Sequence, residues 1–196
     1  MNCLMCGVGG QGTVLASRLI ADGVMRRGEP VLTAETIGMA QRGGCVVSHV
    51  RSGYDVCSPL IPMGQADTII AFEPGEAARC VPYLKSGATV VVNTKGVMPV
   101  TASLGQGYRA EDMLDYLRNL PDIRLLEVDG AALCAACGSS KVLNVVLLTA
   151  AAVLGALPID VDELRRAILE RTKPAFHAVN LKAMELTTCA LKEARP

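Results

Sequence analysis

Six residues near the start of the chain, Gly7-Val8-Gly9-Gly10-Gln11-Gly12, restrict the fold more than any other stretch. They follow the short apolar run of Cys3, Leu4, Met5 and Cys6. They precede a pattern with apolar Val14, Leu15, Leu19 and Ile20 and polar Ser17, Arg18 and Asp22. That order predicts strand, tight loop and helix. Glycines admit positive φ and close backbone approach, and the first turn of a helix presents N–H groups to an anion. A phosphate or a carboxylate suits such a loop, and so does plain tight packing of helix on sheet.

The chain has 196 residues, 51% of them hydrophobic, enough for one α/β core spanning 1–196. Basic and acidic residues both number 19, so no net field recruits nucleic acid or an anionic membrane. The first strand begins within two residues of the start, which leaves no room for a signal peptide ahead of it. The apolar stretch from Val142 to Leu157 contains Asn144 and Thr149 and is too short to cross a bilayer, so a buried helix and a cytoplasmic location are expected. Two Cys-x-x-Cys pairs, Cys3/Cys6 and Cys134/Cys137, have metal-site spacing. The first pair lies on a strand, where an odd offset points the thiols to opposite faces, and the second lies in an alanine-rich helix as small hydrophobes.

After the first helix, Val31 to Ala34 reads as the second strand, ended by Glu35. An acid at that distance from the glycines is where a dinucleotide-binding domain holds a ribose hydroxyl. The glycine-rich Thr36 to Gly44 that follows is not the crossover helix such a domain needs. Cys45 to Arg51 suits a strand, with Tyr54 to Cys57 returning as its partner in an inserted hairpin. Arg42, between a glutamine and two glycines, could clamp a carboxylate or phosphate or pair across a subunit contact. His49 is more simply a hydrogen-bonded histidine than a base.

Thr68 to Phe72 is a buried-type strand, Glu73-Pro74-Gly75 opens a helix that stops at Gly87 and is kinked or split into two short pieces at Pro82, and Ala88 to Asn93 is the next strand. Glu73 and Asn93 would lie at the carboxyl ends of neighbouring strands, where open α/β sheets bind ligands. Ala110 to Leu120 is an amphipathic helix with Met113, Leu114 and Leu117 inward, and Ile123 to Val128 is a strand. The last third is helical over Lys141 to Leu154, Asp162 to Arg171 and about Ala175 to Glu193, with Asp160 capping the middle helix. Asn144, an amide among valines and leucines, must bond to a backbone, a ligand or a subunit. The expected fold is a Rossmann-like, mostly parallel sheet flanked by helices, with the inserted hairpin and a helical C-terminal third.

Together these motifs resemble the gamma-type subunit of 2-oxoacid:ferredoxin oxidoreductases, in particular its indolepyruvate branch. The glycine loop with its helix, Gln41-Arg42-Gly43-Gly44 leading into Val46 to Arg51, and the Asn144 to Leu148 helix carry the likeness, with Lys173 and Asn180 as further family positions. The resemblance spans nearly the whole chain as a single gamma-type domain. It implies an enzyme complex that decarboxylates an arylpyruvate with thiamine diphosphate, passes electrons through 4Fe-4S clusters to ferredoxin and releases an acyl-coenzyme A. The Gly-Asp-Gly and Asn pair that hold magnesium diphosphate are absent, as is a ferredoxin cysteine run. The resemblance therefore implies that thiamine diphosphate, magnesium and the clusters belong to a large (alpha) partner subunit, with coenzyme A as co-substrate. Gly9, Gly10, Gln11 and Gly12, with Arg42, Gly43 and Asn144, are then the surface facing that partner or its ligand, and none is an acid, base or nucleophile. A free-standing NAD(P)-binding reductase and a non-catalytic interaction module are the rival readings.

Overall fold

In the computed structural model, residues 1–37, 44–98 and 107–193 are described. A six-stranded sheet has the order β2-β3-β1-β4-β5-β6, with β1 at Asn2–Val8, β2 at Val31–Ile37, β3 at Cys45–Ser52, β4 at Ala66–Ala71, β5 at Leu84–Asn93 and β6 at Arg124–Val128. Strands β1, β4, β5 and β6 are parallel, whereas β3 runs antiparallel to both β1 and β2. The sheet is therefore mixed. The carboxyl ends of its four parallel neighbours share one edge, and the glycine loop lies on it.

A hairpin is present, built from other strands than expected. β3 pairs with β2 along its whole length, from Val31 opposite Ser52 to Ile37 opposite Val46. Residues 54–57 form no strand; Tyr54 is 81% exposed, and Pro59 and Pro62 withhold N–H donors from any further ladder. Strand β2 also runs past Glu35 to Ile37.

The helices are α1 (Thr13–Arg26), α2 (Pro74–Cys80), α3 (Ala110–Arg118), α4 (Gly130–Cys137), α5 (Leu143–Val153), α6 (Val161–Arg171) and α7 (His177–Glu193). Helix α2 stops at Cys80 and gives way to a 3-10 turn, Val81–Tyr83, because Pro82 has no N–H to continue the ladder. The next strand then begins at Leu84, four residues before the sequence suggested.

Helices lie on both faces of the sheet. Cys3 and Met5 enter the core shared with α1, α4, α5, α6 and α7, while Leu4 and Cys6 enter the core under α2 and α3. The odd offset between Cys3 and Cys6 thus does separate them, as strand geometry requires. Leu114 and Leu117 of α3 are buried, with Met113 half-buried beside them. Helix α5 is buried from Asn144 to Ala152, so it forms the axis of the helical third. Arg171 Nη2 donates to Asp22 Oδ1 at 2.6 Å and Arg27 Nε to Glu163 Oε1 at 2.5 Å, pinning α6 to α1. Among the described residues no helix is long and apolar enough to cross a membrane.

Candidate functional site

The glycine loop is shaped by a side chain folded back onto its own strand. Gln11 Oε1 accepts from the Val8 N–H at 2.7 Å, and Gln11 Nε2 donates to the Phe72 carbonyl at 3.2 Å. A Cβ on Gly7 would lie 2.7 Å from that Oε1 and 2.8 Å from Phe72 Cβ, so the position admits no side chain. Gly12 is the N-cap of α1 at φ +91°, in the left-handed region, and no side chain caps the helix there. The Gly9 N–H donates to the Gly44 carbonyl at 2.8 Å, which ties the loop to the start of β3. Gln11 therefore acts first as a backbone clamp. Gly9, Gly10 and Gly12 form the surface of the loop, with Gly10 exposed.

Asn93, at the end of β5, reaches the same carbonyl from the other side. Its Nδ2 donates to Phe72 at 3.1 Å and to the Lys95 carbonyl at 3.2 Å, and its Oδ1 accepts from the Gly130 N–H at 3.2 Å. Three strand ends are thus fastened through one carbonyl. Above them opens a cleft of about 500 Å³, bounded by Gln11, Asn93, Lys95, Gly130, Ser139 and Ser140 with Cys134 and Leu143 on its apolar wall. Its position is the one open α/β sheets use for ligands.

Glu73 reaches this edge too, but its carboxylate is engaged internally. It is 3% exposed, accepts from the Glu76 N–H at 2.9 Å to cap α2, and accepts from the Val97 N–H at 3.3 Å and from the Tyr108 hydroxyl. Burial and the neighbouring Glu73 charge push the Tyr108 hydroxyl well above the usual phenol range, which keeps it a proton donor to that carboxylate.

Asn144 is brought to the glycine loop by α5. It is 4% exposed, and a Cβ on Gly12 would sit 3.3 Å from its Nδ2. Its Oδ1 accepts from the Val145 N–H at 2.9 Å. Gly9, Gly10, Gln11, Gly12 and Asn144 are thus neighbours, while Arg42 and Gly43 lie outside the described residues. Glu35 does not join them. β3 lies between β2 and β1, which places Glu35 two strand spacings, roughly 10 Å, from the strand that carries the loop. It faces Arg18 at 3.9 Å instead. Among the described residues, Glu35 therefore does not take the ribose position of a dinucleotide site. His49 is 3% exposed; its Nδ1 accepts from the Ile61 N–H at 3.2 Å and burial lowers its pKa, so it is a neutral structural acceptor.

Sequence reasoning passed over Lys95, Ser139 and Ser140, which line the cleft. Each sits among other polar residues in a connection between elements, with no spacing to mark it. The chain's donors do not fit the metal groups the resemblance implies. Asp129 accepts from the Ala132 N–H at 2.9 Å as the cap of α4, and Cys3 and Cys6 face opposite layers. Burial raises the Cys3 thiol to about 12 and also raises those of Cys134 and Cys137, so all three are protonated. Among the described residues no group of three or more histidine, cysteine or acidic side chains could hold a metal ion.

Comparison with known proteins identifies the family and the fold. Residues 2–189 match the family model described as pyruvate ferredoxin/flavodoxin oxidoreductase. The chain is 38% identical to indolepyruvate oxidoreductase subunit IorB of Archaeoglobus fulgidus over 95% of its own length and 92% of the relative's. Its identity to the protein of the same name from Thermococcus kodakarensis is 34%, over 98% and 96%. In structure it resembles the gamma subunit of a keto/oxoacid ferredoxin oxidoreductase from Geobacter sulfurreducens, with a TM-score of 0.72, 22% identity and coverage of 98% and 99%. A 2-oxoglutarate:ferredoxin oxidoreductase from Magnetococcus marinus, solved with 2-oxoglutarate, coenzyme A and succinyl-CoA, gives a TM-score of 0.72 at 18% identity, over 98% of this chain and 31% of that one.

Proposed function

The chain belongs to the pyruvate ferredoxin/flavodoxin oxidoreductase family, and from that premise we propose that it is the small subunit of a 2-oxoacid:ferredoxin oxidoreductase acting on indolepyruvate or a related arylpyruvate. The observation that carries this reading is identity of 38% and 34% with two IorB subunits across nearly the full length of each protein. The complex would decarboxylate the 2-oxoacid oxidatively, form an acyl-coenzyme A and deliver electrons to ferredoxin. Thiamine diphosphate, magnesium and 4Fe-4S clusters are assigned to a large partner subunit. The donor chemistry described above supports that division, since Asp129 and the buried thiols already serve the fold.

The work of this chain is then positional. The glycine loop, with Asn144 behind it, forms the face toward the large subunit or its ligand, and Arg42 and Gly43 are assigned to the same recognition. Gln11 and Asn93 hold the strand ends beneath the glycine loop, and coenzyme A is the co-substrate received at or near this edge. Cofactors perform the difficult chemistry, and protein surfaces orient them and exclude water.

The test is co-expression with a candidate large subunit from the same genome, purification through a tag on one chain, and a ferredoxin-linked assay with indolepyruvate, phenylpyruvate, pyruvate and 2-oxoglutarate. Co-purification and coenzyme A-dependent turnover of an arylpyruvate are expected. Failure of the two chains to associate overturns the subunit reading, and turnover of pyruvate alone overturns the substrate class.

A further inference from the structure

A second, smaller cavity of about 180 Å³ opens beside the glycine loop, between the starts of α1, α5 and α7. Leu15 and Phe176 form its rim, 36% and 44% exposed, and Val145 and Val179 are among its walls. Asn144 and Asn180 also line it, only 4% and 6% exposed.

The orientation of both amides is fixed by their neighbours. The Val145 N–H donates to Asn144 Oδ1, which leaves Nδ2 as a free donor. The Thr172 hydroxyl gives its proton to the Ile168 carbonyl at 2.7 Å, so toward Asn180 it acts as acceptor; Asn180 Nδ2 donates to it at 3.4 Å, leaving Oδ1 free. Among the described residues neither Asn144 Nδ2 nor Asn180 Oδ1 has a hydrogen-bond partner. Neither atom is sealed off within the protein, so both are presented to a group that enters the cavity, one as donor and one as acceptor.

Chemistry and size together narrow the occupant. One donor and one acceptor complement an amide, whereas a carboxylate only accepts and would set an oxygen lone pair against Asn180 Oδ1. A cavity of about 150 Å³ holds a benzene-sized group, while sites for whole small molecules start near 300 Å³. The space is that of one bulky side chain with its adjoining peptide group. Lys141 lines the cavity, and Lys173 precedes the turn that carries Phe176. Neither forms an ion pair among the described residues, so a carboxylate next to the anchoring residue complements the charge at the rim.

We propose that this cavity is a socket for a segment of the large partner subunit: one bulky apolar side chain enters it, the neighbouring peptide group bonds Asn144 Nδ2 and Asn180 Oδ1, and an adjacent acidic residue meets Lys141. A deeply seated apolar anchor is where most of an interface's binding energy concentrates. The inference rests on the subunit reading above.

The test uses the co-expressed complex and the ratio of small to large chain recovered through a tag on the large one. Val179→Phe fills the socket from inside and is expected to lower that ratio tenfold or more, with soluble small chain accumulating as in wild type. Phe176→Ala alters only the exposed rim, so it leaves folding intact, and it is expected to lower the ratio about threefold. Wild-type chains that fail to associate overturn the subunit reading itself. Wild-type association with both variants binding equally well overturns the socket alone. A raised Michaelis constant for coenzyme A at unchanged assembly assigns the cavity to a small molecule and overturns it too, as does loss of a homodimer with binding to the large subunit retained.

Discussion

Helices α6 and α1 begin in opposite ways. At α6, Asp160 Oδ1 accepts from the Glu163 N–H and Glu163 Oε2 accepts from the Asp160 N–H, both at 2.8 Å, so the helix start is closed by its own side chains. Glu73 and Asp129 likewise close α2 and α4. At α1 the cap residue is Gly12, with no capping side chain and no acid in the first turn. Helix α5 has Val142 as its cap, likewise without a capping side chain or an acid in the first turn, and continues from the 3-10 turn Ser140–Val142 that Ser139 caps. The two open starts adjoin through the Gly12–Asn144 contact. The fold closes the starts of α2, α4 and α6 with local acids, and leaves α3 without a side-chain cap but with Glu111 and Asp112 in its first turn. It sets the uncapped starts of α1 and α5 together at the surface proposed to meet the partner. Closed starts should then govern stability alone, and open ones assembly.

The largest effect is expected where the open start depends on the clamp beneath it. Gly7→Val drives a branched side chain into Gln11 Oε1 and Phe72 Cβ, groups 2.7 and 2.8 Å from its Cβ. Overpacking and the loss of both Gln11 hydrogen bonds should cost about 3 kcal/mol or more in urea unfolding, with assembly lost as well. A variant of wild-type stability would show that Gln11 is not the clamp.

Gly12→Asn sharpens the contrast directly. Asparagine tolerates a positive φ better than most side chains, but at φ +91° and with its Cβ 3.3 Å from Asn144 Nδ2 it should cost the isolated chain about 1 kcal/mol. Assembly is therefore measured below its unfolding transition. Its side chain would occupy the open start beside Asn144, and affinity for the large subunit should fall about tenfold, or 1.4 kcal/mol. Unchanged affinity would break the link between open helix starts and assembly. The converse is Asp160→Ala, which removes the α6 cap and should cost about 1 kcal/mol of chain stability with assembly unaffected. A loss of assembly there, measured below the unfolding transition, would remove the distinction between the two kinds of helix start.

Local features of this arrangement were legible in the sequence, and contacts across long separations were not. The strand, glycine loop and helix from Asn2 to Arg26 follow from residue types within a few positions of one another, and so does the Asp160 cap. The pairing of β3 was misread because Cys45 to Ser52 has two partners that its own pattern cannot choose between. Tertiary structure slots it between β1 and β2, and that displacement separates Glu35 from the glycines. The fastening of Phe72 draws on Gln11 and Asn93, 61 and 21 residues away. Asn144 was recognised because an amide in an apolar helix is conspicuous. The partnerless oxygen of Asn180 depends on which way the Thr172 hydroxyl points, and residue type cannot express that.

The smallest effect concerns another internally closed contact. His49 Nδ1 accepts from the Ile61 N–H only while the ring nitrogen is unprotonated, and burial holds the folded-state pKa below the ordinary 6.5. As pH falls below about 6.5 the unfolded chain takes up a proton at His49 before the folded chain does, so stability falls with pH in that window. The contribution is complete above about 6.5 and is lost as pH drops through the folded-state value. His49→Gln keeps an acceptor for Ile61 but cannot titrate, so its stability should vary less between pH 7 and 5. Subtracting the two urea-unfolding curves cancels what His177 and the carboxylates contribute to both proteins. The difference should be under about 1 kcal/mol, and assembly with the large subunit should show no matching change, because this contact is closed within the chain. A parallel pH-dependent loss of assembly, present in wild type and absent in His49→Gln, would place His49 with the open contacts instead.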